Sequence, residues 1–147
     1  MTTATIIETP VKLSLTRSFD APPEKLFDAW LDGSWRDWLG SHGVVCLDSQ
    51  LDARVGGHYR MDVRMPDGSE KSVGGTYRAI ERPFRLVFTW NGCFTGGETL
   101  VTLTFRPRGA GTELTLTHEG FTGADMRDRH NEGWSNSFDR LTARLAR

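Results

Sequence analysis

Apolar and polar residues alternate along most of this chain, and the alternation gives way to helical spacing in only three places. Over residues 11–19, Val11, Leu13 and Leu15 are separated by polar neighbours, which predicts a strand with one face covered. Asp20-Ala-Pro-Pro-Glu24 then predicts a helix start, because proline is tolerated in the first turn and acidic groups suit its positive end. Leu26, Phe27, Trp30 and Leu31 form one apolar face of that helix, and a second short helical piece over 34–39 brings Trp35, Trp38 and Leu39. Six further strands are expected at 44–52, 56–65, 71–81, 84–91, 97–107 and 111–119. Turn-forming runs such as Pro66-Asp-Gly, Arg82-Pro-Phe, Asn91-Gly and Arg108-Gly-Ala-Gly separate them. Over 56–65, Tyr59, Met61, Val63 and Met65 share one face, opposed by His58, Arg60, Asp62 and Arg64.

The chain closes with a long helix expected from Thr122 to the terminus, where Thr122-Gly-Ala-Asp125 approximates a capping box. At helical spacing His130, Trp134, Phe138, Leu141 and Leu145 gather on one stripe, flanked by Met126 and Arg127, while Asp128, Glu132, Asp139 and Ala143 lie opposite. Strands with one covered and one wet face belong to an antiparallel sheet, and the sheet offers the only large apolar surface for that stripe. The expected fold class is therefore α+β: a curved antiparallel sheet wrapped around a long C-terminal helix, with two short helices after the first strand. Residues 1–9 are expected to form a flexible tail and 10–147 a single domain. Gly56-Gly57 and Gly74-Gly75 sit in strand context, where glycine marks a bulge or sharp curvature in preference to a phosphate site.

Charge and composition narrow the function. With 18 Lys and Arg against 19 Asp and Glu, the net charge of −1 gives no basic face for nucleic acid or for an anionic membrane. No stretch is long and apolar enough to span a bilayer, and MTTATIIETP lacks the basic and apolar regions of a signal peptide. The expectation is a soluble cytoplasmic protein in which Cys46 and Cys93 are free thiols. Phosphate loops, HExxH, GxSxG and Cys/His arrays are missing from the sequence, so no cofactor and no metal are expected.

The groups left for chemistry are few. His42 falls in a loop and His58 on a polar strand face, which predicts solvated rings. His118 ends a strand and His130 sits early in the long helix, so both can approach the mouth of a cavity between helix and sheet. Arg127, an always-charged group beside an apolar stripe, either snorkels to the rim or faces an anionic group. Five tryptophans bring large apolar area and an N–H that needs a partner when buried. The strands and the short helical segment offer Trp38, Tyr59, Met61, Tyr77, Trp90 and His118 as pocket candidates. The long helix offers Met126, Arg127, His130, Trp134 and Phe138.

Six stretches, in order, carry a resemblance to a known family: Phe19-Asp-Ala-Pro-Pro-Glu-Lys-Leu-Phe-Asp-Ala-Trp30, Leu51-Asp-Ala-Arg-Val-Gly-Gly57, Gly75-Thr-Tyr-Arg-Ala-Ile80, Arg85-Leu-Val-Phe-Thr-Trp90, His118-Glu-Gly-Phe121 and Arg129-His-Asn-Glu-Gly-Trp134. Together they resemble the START-like (SRPBCC, helix-grip) superfamily, and within it the branch named after the C-terminal domain of the activator of Hsp90 ATPase. The resemblance implies the helix-grip fold and an internal pocket between helix and sheet that holds an apolar or amphipathic small molecule. Some relatives are polyketide cyclases or aromatases, some carry lipids or hormones, and one branch stimulates a chaperone ATPase, a stress-response role. The leading expectation is binding of an apolar or aromatic small molecule. The alternatives are a metal-free cyclase or dehydratase using His118, His130 or Arg127, and a domain that touches an Hsp90-type chaperone. The oligomeric state stays open, with a homodimer among the options.

Overall fold

The computed structural model describes residues 11–40, 43–92, 95 and 97–146. The tail expected over residues 1–9 lies outside these, as do His42 and Cys93. Chain order is β1 (Val11–Phe19), α1 (Pro23–Asp28), α2 (Trp35–Trp38), β2 (Val45–Leu51), β3 (His58–Arg64), β4 (Glu70–Glu81), β5 (Arg85–Gly92), β6 (Thr99–Arg108), β7 (Gly111–Phe121) and α3 (Ala124–Leu145). The described strands form one antiparallel sheet in the order β1-β7-β6-β5-β4-β3-β2. This is the curved sheet and long helix expected from the alternation.

The inward rows of the central strands meet in register. Leu116 of β7 stands between Leu15 of β1 and Leu103 of β6, and Leu114 stands opposite Phe105. Leu103, Leu114 and Leu116 are fully buried, and α3 adds Phe138 and Leu141 to the same core. Curvature is built where backbones crowd. A Cβ at Gly75 would lie 1.9 Å from the Thr89 carbonyl oxygen, so only glycine allows β4 and β5 this approach. The β4–β5 register shifts just beyond, between Tyr77 and Ala79.

Two helix boundaries differ from the sequence expectation. α1 ends at Asp28, and the chain continues through tighter bonds from Trp30 N–H to Phe27 O and from Leu31 N–H to Asp28 O. Trp30 is nonetheless fully buried, because that turn rolls it under α3 and against Trp38. The capping box at Thr122 does not form: the residue before α3 is Gly123, extended at φ −165°, and no side chain caps the helix. Thr122 stands one position too early to reach the N–H groups of the first turn.

Candidate functional site

α3 lies closest to β1, with lesser contact to β7, so its N-terminal half and the β3–β5 side of the sheet do not close on each other. A pocket of about 600 Å³ occupies the gap. Met61 and Val63 of β3, Val73 of β4 and Trp90 of β5 form the sheet wall. His130, Gly133, Trp134 and Ser137 form the helix wall, and Leu39, Gly40 and Val44 close one side from the segment between α2 and β2. That segment is tied to the helix through one hydroxyl: Ser137 Oγ accepts from Gly40 N–H at 2.8 Å and donates to the Gly133 carbonyl at 2.8 Å. The rim carries Asp67, Lys71, Arg129 and Glu132, two charges of each sign.

Trp90 and Trp134 meet inside with ring centroids 5.0 Å apart. Their placement is locked by a chain of hydrogen bonds through a buried histidine. Trp134 Nε1–H donates to His118 Nδ1 at 3.0 Å. Thr99 Oγ1 donates to the Trp90 carbonyl at 2.6 Å, so its hydroxyl proton is committed and it accepts from His118 Nε2–H at 2.7 Å. The register supplies this geometry, since Thr99 stands opposite Trp90 on neighbouring strands. Both ring nitrogens of His118 are thereby used, and a second ring proton would face the Trp134 N–H donor. Burial, reinforced by the nearby His130, pushes the His118 pKa down to about 2. His118 is a neutral strut behind the pocket wall.

His130 is held differently. Its Nδ1 lies 2.8 Å from the Met126 carbonyl, which can only accept, so Nδ1 carries the proton and Nε2 keeps its lone pair. The ring packs edge-on to Trp90 at 6.4 Å and to His118 at 5.2 Å, and against Phe121 at 4.9 Å. Burial lowers its pKa, partly opposed by the Met126 bond, so the neutral ring is favoured.

Of the eleven candidates from sequence, the structure brings Met61, Trp90, His130 and Trp134 to the pocket lining. The others are placed elsewhere. Trp38 is fully buried under Trp30, its N–H bonded to Ser34 Oγ, and it reaches the pocket only through its neighbours Leu39 and Gly40. Tyr59 donates its hydroxyl to the Thr89 carbonyl deep in the core, and Tyr77 and Phe138 are buried beside it or beneath α3. Burial pushes both tyrosine pKa values up. Met126 packs on the core edge, and Arg127 pairs with Asp128 at 3.0 Å, outside the pocket lining. His58 is exposed, as expected, with Nδ1 3.1 Å from Thr76 Oγ1.

Sequence reasoning did not single out Val63, Met65, Val73 or Ser137 as lining residues. Val63 and Met65 had a usable signal, since they extend the face of Tyr59 and Met61. Val73 enters because it pairs with Met61 across β3 and β4, a register no local pattern reveals. Among the described residues, no group of three or more His, Cys, Asp or Glu side chains is placed to hold a metal ion. No described helix is long and apolar enough to cross a membrane.

The same architecture recurs in solved structures. A protein from Chromobacterium violaceum is 30% identical, with a TM-score of 0.81 over 90% of this chain and 94% of that one. A Silicibacter pomeroyi protein described as AHSA1 is also 30% identical, with a TM-score of 0.81 over 92% of this chain and 98% of its own. One from Rhodobacter sphaeroides is 27% identical, with a TM-score of 0.79 over 92% of each chain. No curated protein matches the chain. The family model described as Activator of Hsp90 ATPase homolog 1-like protein matches residues 20–146, spanning β2 to β7, both short helices and the pocket wall on α3, and the chain belongs to that family.

Proposed function

We propose that this protein binds an apolar, aromatic small molecule in the pocket between α3 and the β3–β5 side of the sheet. The observation that carries this reading is the open volume of about 600 Å³ lined by Trp90, Trp134 and Met61. Sites for small molecules are typically concave, mostly apolar and about 300–1,000 Å³, with a few polar groups fixing orientation. An acid–base role finds less support. His118 has both nitrogens committed inside the protein, and Arg127 is paired at the surface, which leaves His130 as the one group of the three beside the cavity.

Native mass spectrometry of the purified protein, compared with its denatured mass, tests for a bound molecule directly. A fluorescent apolar probe should bind to the wild-type protein and quench or shift tryptophan emission. Trp134→Ala should weaken that binding by about 1–3 kcal/mol, the scale of a central aromatic contact. Equal probe affinity in Trp134→Ala and wild type would place binding outside this pocket.

A further inference from the structure

On the helix wall of the pocket, His130 has a hydrogen-bonding role that is fixed before any ligand arrives. The bond from Nδ1–H to the Met126 carbonyl assigns the His130 proton, so Nε2 can accept but not donate. Of the surrounding rings, His118 has no free nitrogen to offer it and Phe121 presents only carbon. Charge at the rim points the same way. Arg129 and Lys71 are matched in number by Glu132 and Asp67, so the lining shows no excess of either sign.

We propose that the ligand of this pocket is a neutral aromatic molecule bearing a hydroxyl, phenolic or enolic, that donates a hydrogen bond to His130 Nε2 while its ring packs against Trp90 and Trp134. This rests on the small-molecule reading of the pocket and names the chemical class. An ether or ketone of the same shape brings only an acceptor, and sets it against another acceptor. A carboxylate does so with a full negative charge. Burial keeps the ring neutral near physiological pH, so the acceptor persists there.

The test is calorimetric titration at neutral pH with three probes of one shape: 2-naphthol, 2-methoxynaphthalene and 2-naphthoate. In the wild-type protein 2-naphthol should bind about tenfold more tightly than 2-methoxynaphthalene, the ratio expected for one hydrogen bond of ordinary net strength, and 2-naphthoate should bind least. In His130→Phe the first two affinities should converge to within about twofold, with 2-methoxynaphthalene little changed. Because that variant can also disturb packing, the wild-type protein supplies an independent reading. Long-range nitrogen NMR should show His130 Nε2 as unprotonated and shifting on addition of 2-naphthol but not of its methyl ether. If all three probes bind alike, or 2-naphthoate binds best, the hydroxyl inference is overturned while the pocket stands. If none binds, the pocket reading fails and takes this inference with it.

Discussion

The interior has two aromatic regions, one filled and one open. In the filled region Trp30 touches Trp35, Trp38, Phe88, Trp134 and Phe138, with ring centroids 4.8–6.4 Å apart. In the open region Trp90 and Trp134 face a cavity. Their polar handles are treated in opposite ways. The Nε1–H groups of Trp30 and Trp35, like the Tyr77 hydroxyl, are buried with no partner among the described residues. The Trp134 N–H, at the open end, is anchored through His118 and Thr99 to the Trp90 carbonyl. Shape alone holds Trp30 and Trp35 in place, because neighbours surround them on every side, while Trp38 beside them adds a bond to Ser34 Oγ. Trp134, which borders the cavity while packing against Trp30 and Trp90, adds directional bonds to packing in fixing its orientation.

The comparison can be broken most forcefully by truncation. Trp30→Ala should destabilise the protein by about 3–5 kcal/mol in denaturant unfolding, since nothing can collapse into the space left. Val73→Ala, on the open wall, should cost about 1 kcal/mol or less, because its side chain already borders a void. Similar losses at the two positions would mean that the pocket is closed in solution.

A second prediction uses the buried strut. His118 is neutral in the folded protein, with a pKa of about 2, whereas an unfolded chain takes up a proton near 6.5. Between these values the unfolded state binds more protons, so stability falls as pH drops below 6.5, by up to about 1.4 kcal/mol per pH unit for this one ring. The lowered pKa of His130 acts in the same direction. Unfolding free energies measured from pH 6.5 to about 5.5, above the main carboxylate range, should show this slope. His118→Gln should flatten it whatever the variant does to stability at neutral pH. A slope unchanged in the variant would mean that His118 is not buried as a neutral ring.

The smallest expected effect sharpens the boundary of the open region. Arg127→Ala should change stability and probe affinity by no more than about 0.5 kcal/mol, because its ion pair with Asp128 lies at the surface. A larger loss of affinity would extend the site beyond its apolar walls.

The fold was largely legible because period-two alternation and the α3 stripe are local properties, each visible within about ten residues. The pocket was legible only in part. Trp134 and His130 were visible as members of the apolar stripe, and Met61 as part of an alternating face. The same stripe and the same aromatic richness also pointed to Phe138, Tyr59, Tyr77 and Trp38, which pack solidly in the core. Whether an inward residue meets protein or empty space depends on how α3 tilts across the sheet, and that is a sum over distant contacts. The role of His118 was hidden for a related reason: its two partners are 16 and 19 residues away, Thr99 reaching it through the β6–β7 pairing and Trp134 through the docking of α3.

That tilt divides labour along a single helix. The C-terminal half of α3 carries Phe138 and Leu141, fully buried, and fastens the helix through Arg17–Asp139 to β1 and through Arg144–Asp37 to α2. The N-terminal half, from Arg129 to Trp134, faces the cavity instead. The residues that border the cavity and those that form the core are therefore only partly the same, with Trp134 and Met61 shared between them. Substitutions at Val63 and Val73, which are only half-buried, can reshape the cavity at small cost without touching the contacts that seat the helix, whereas Met61 lines the same cavity from within the core.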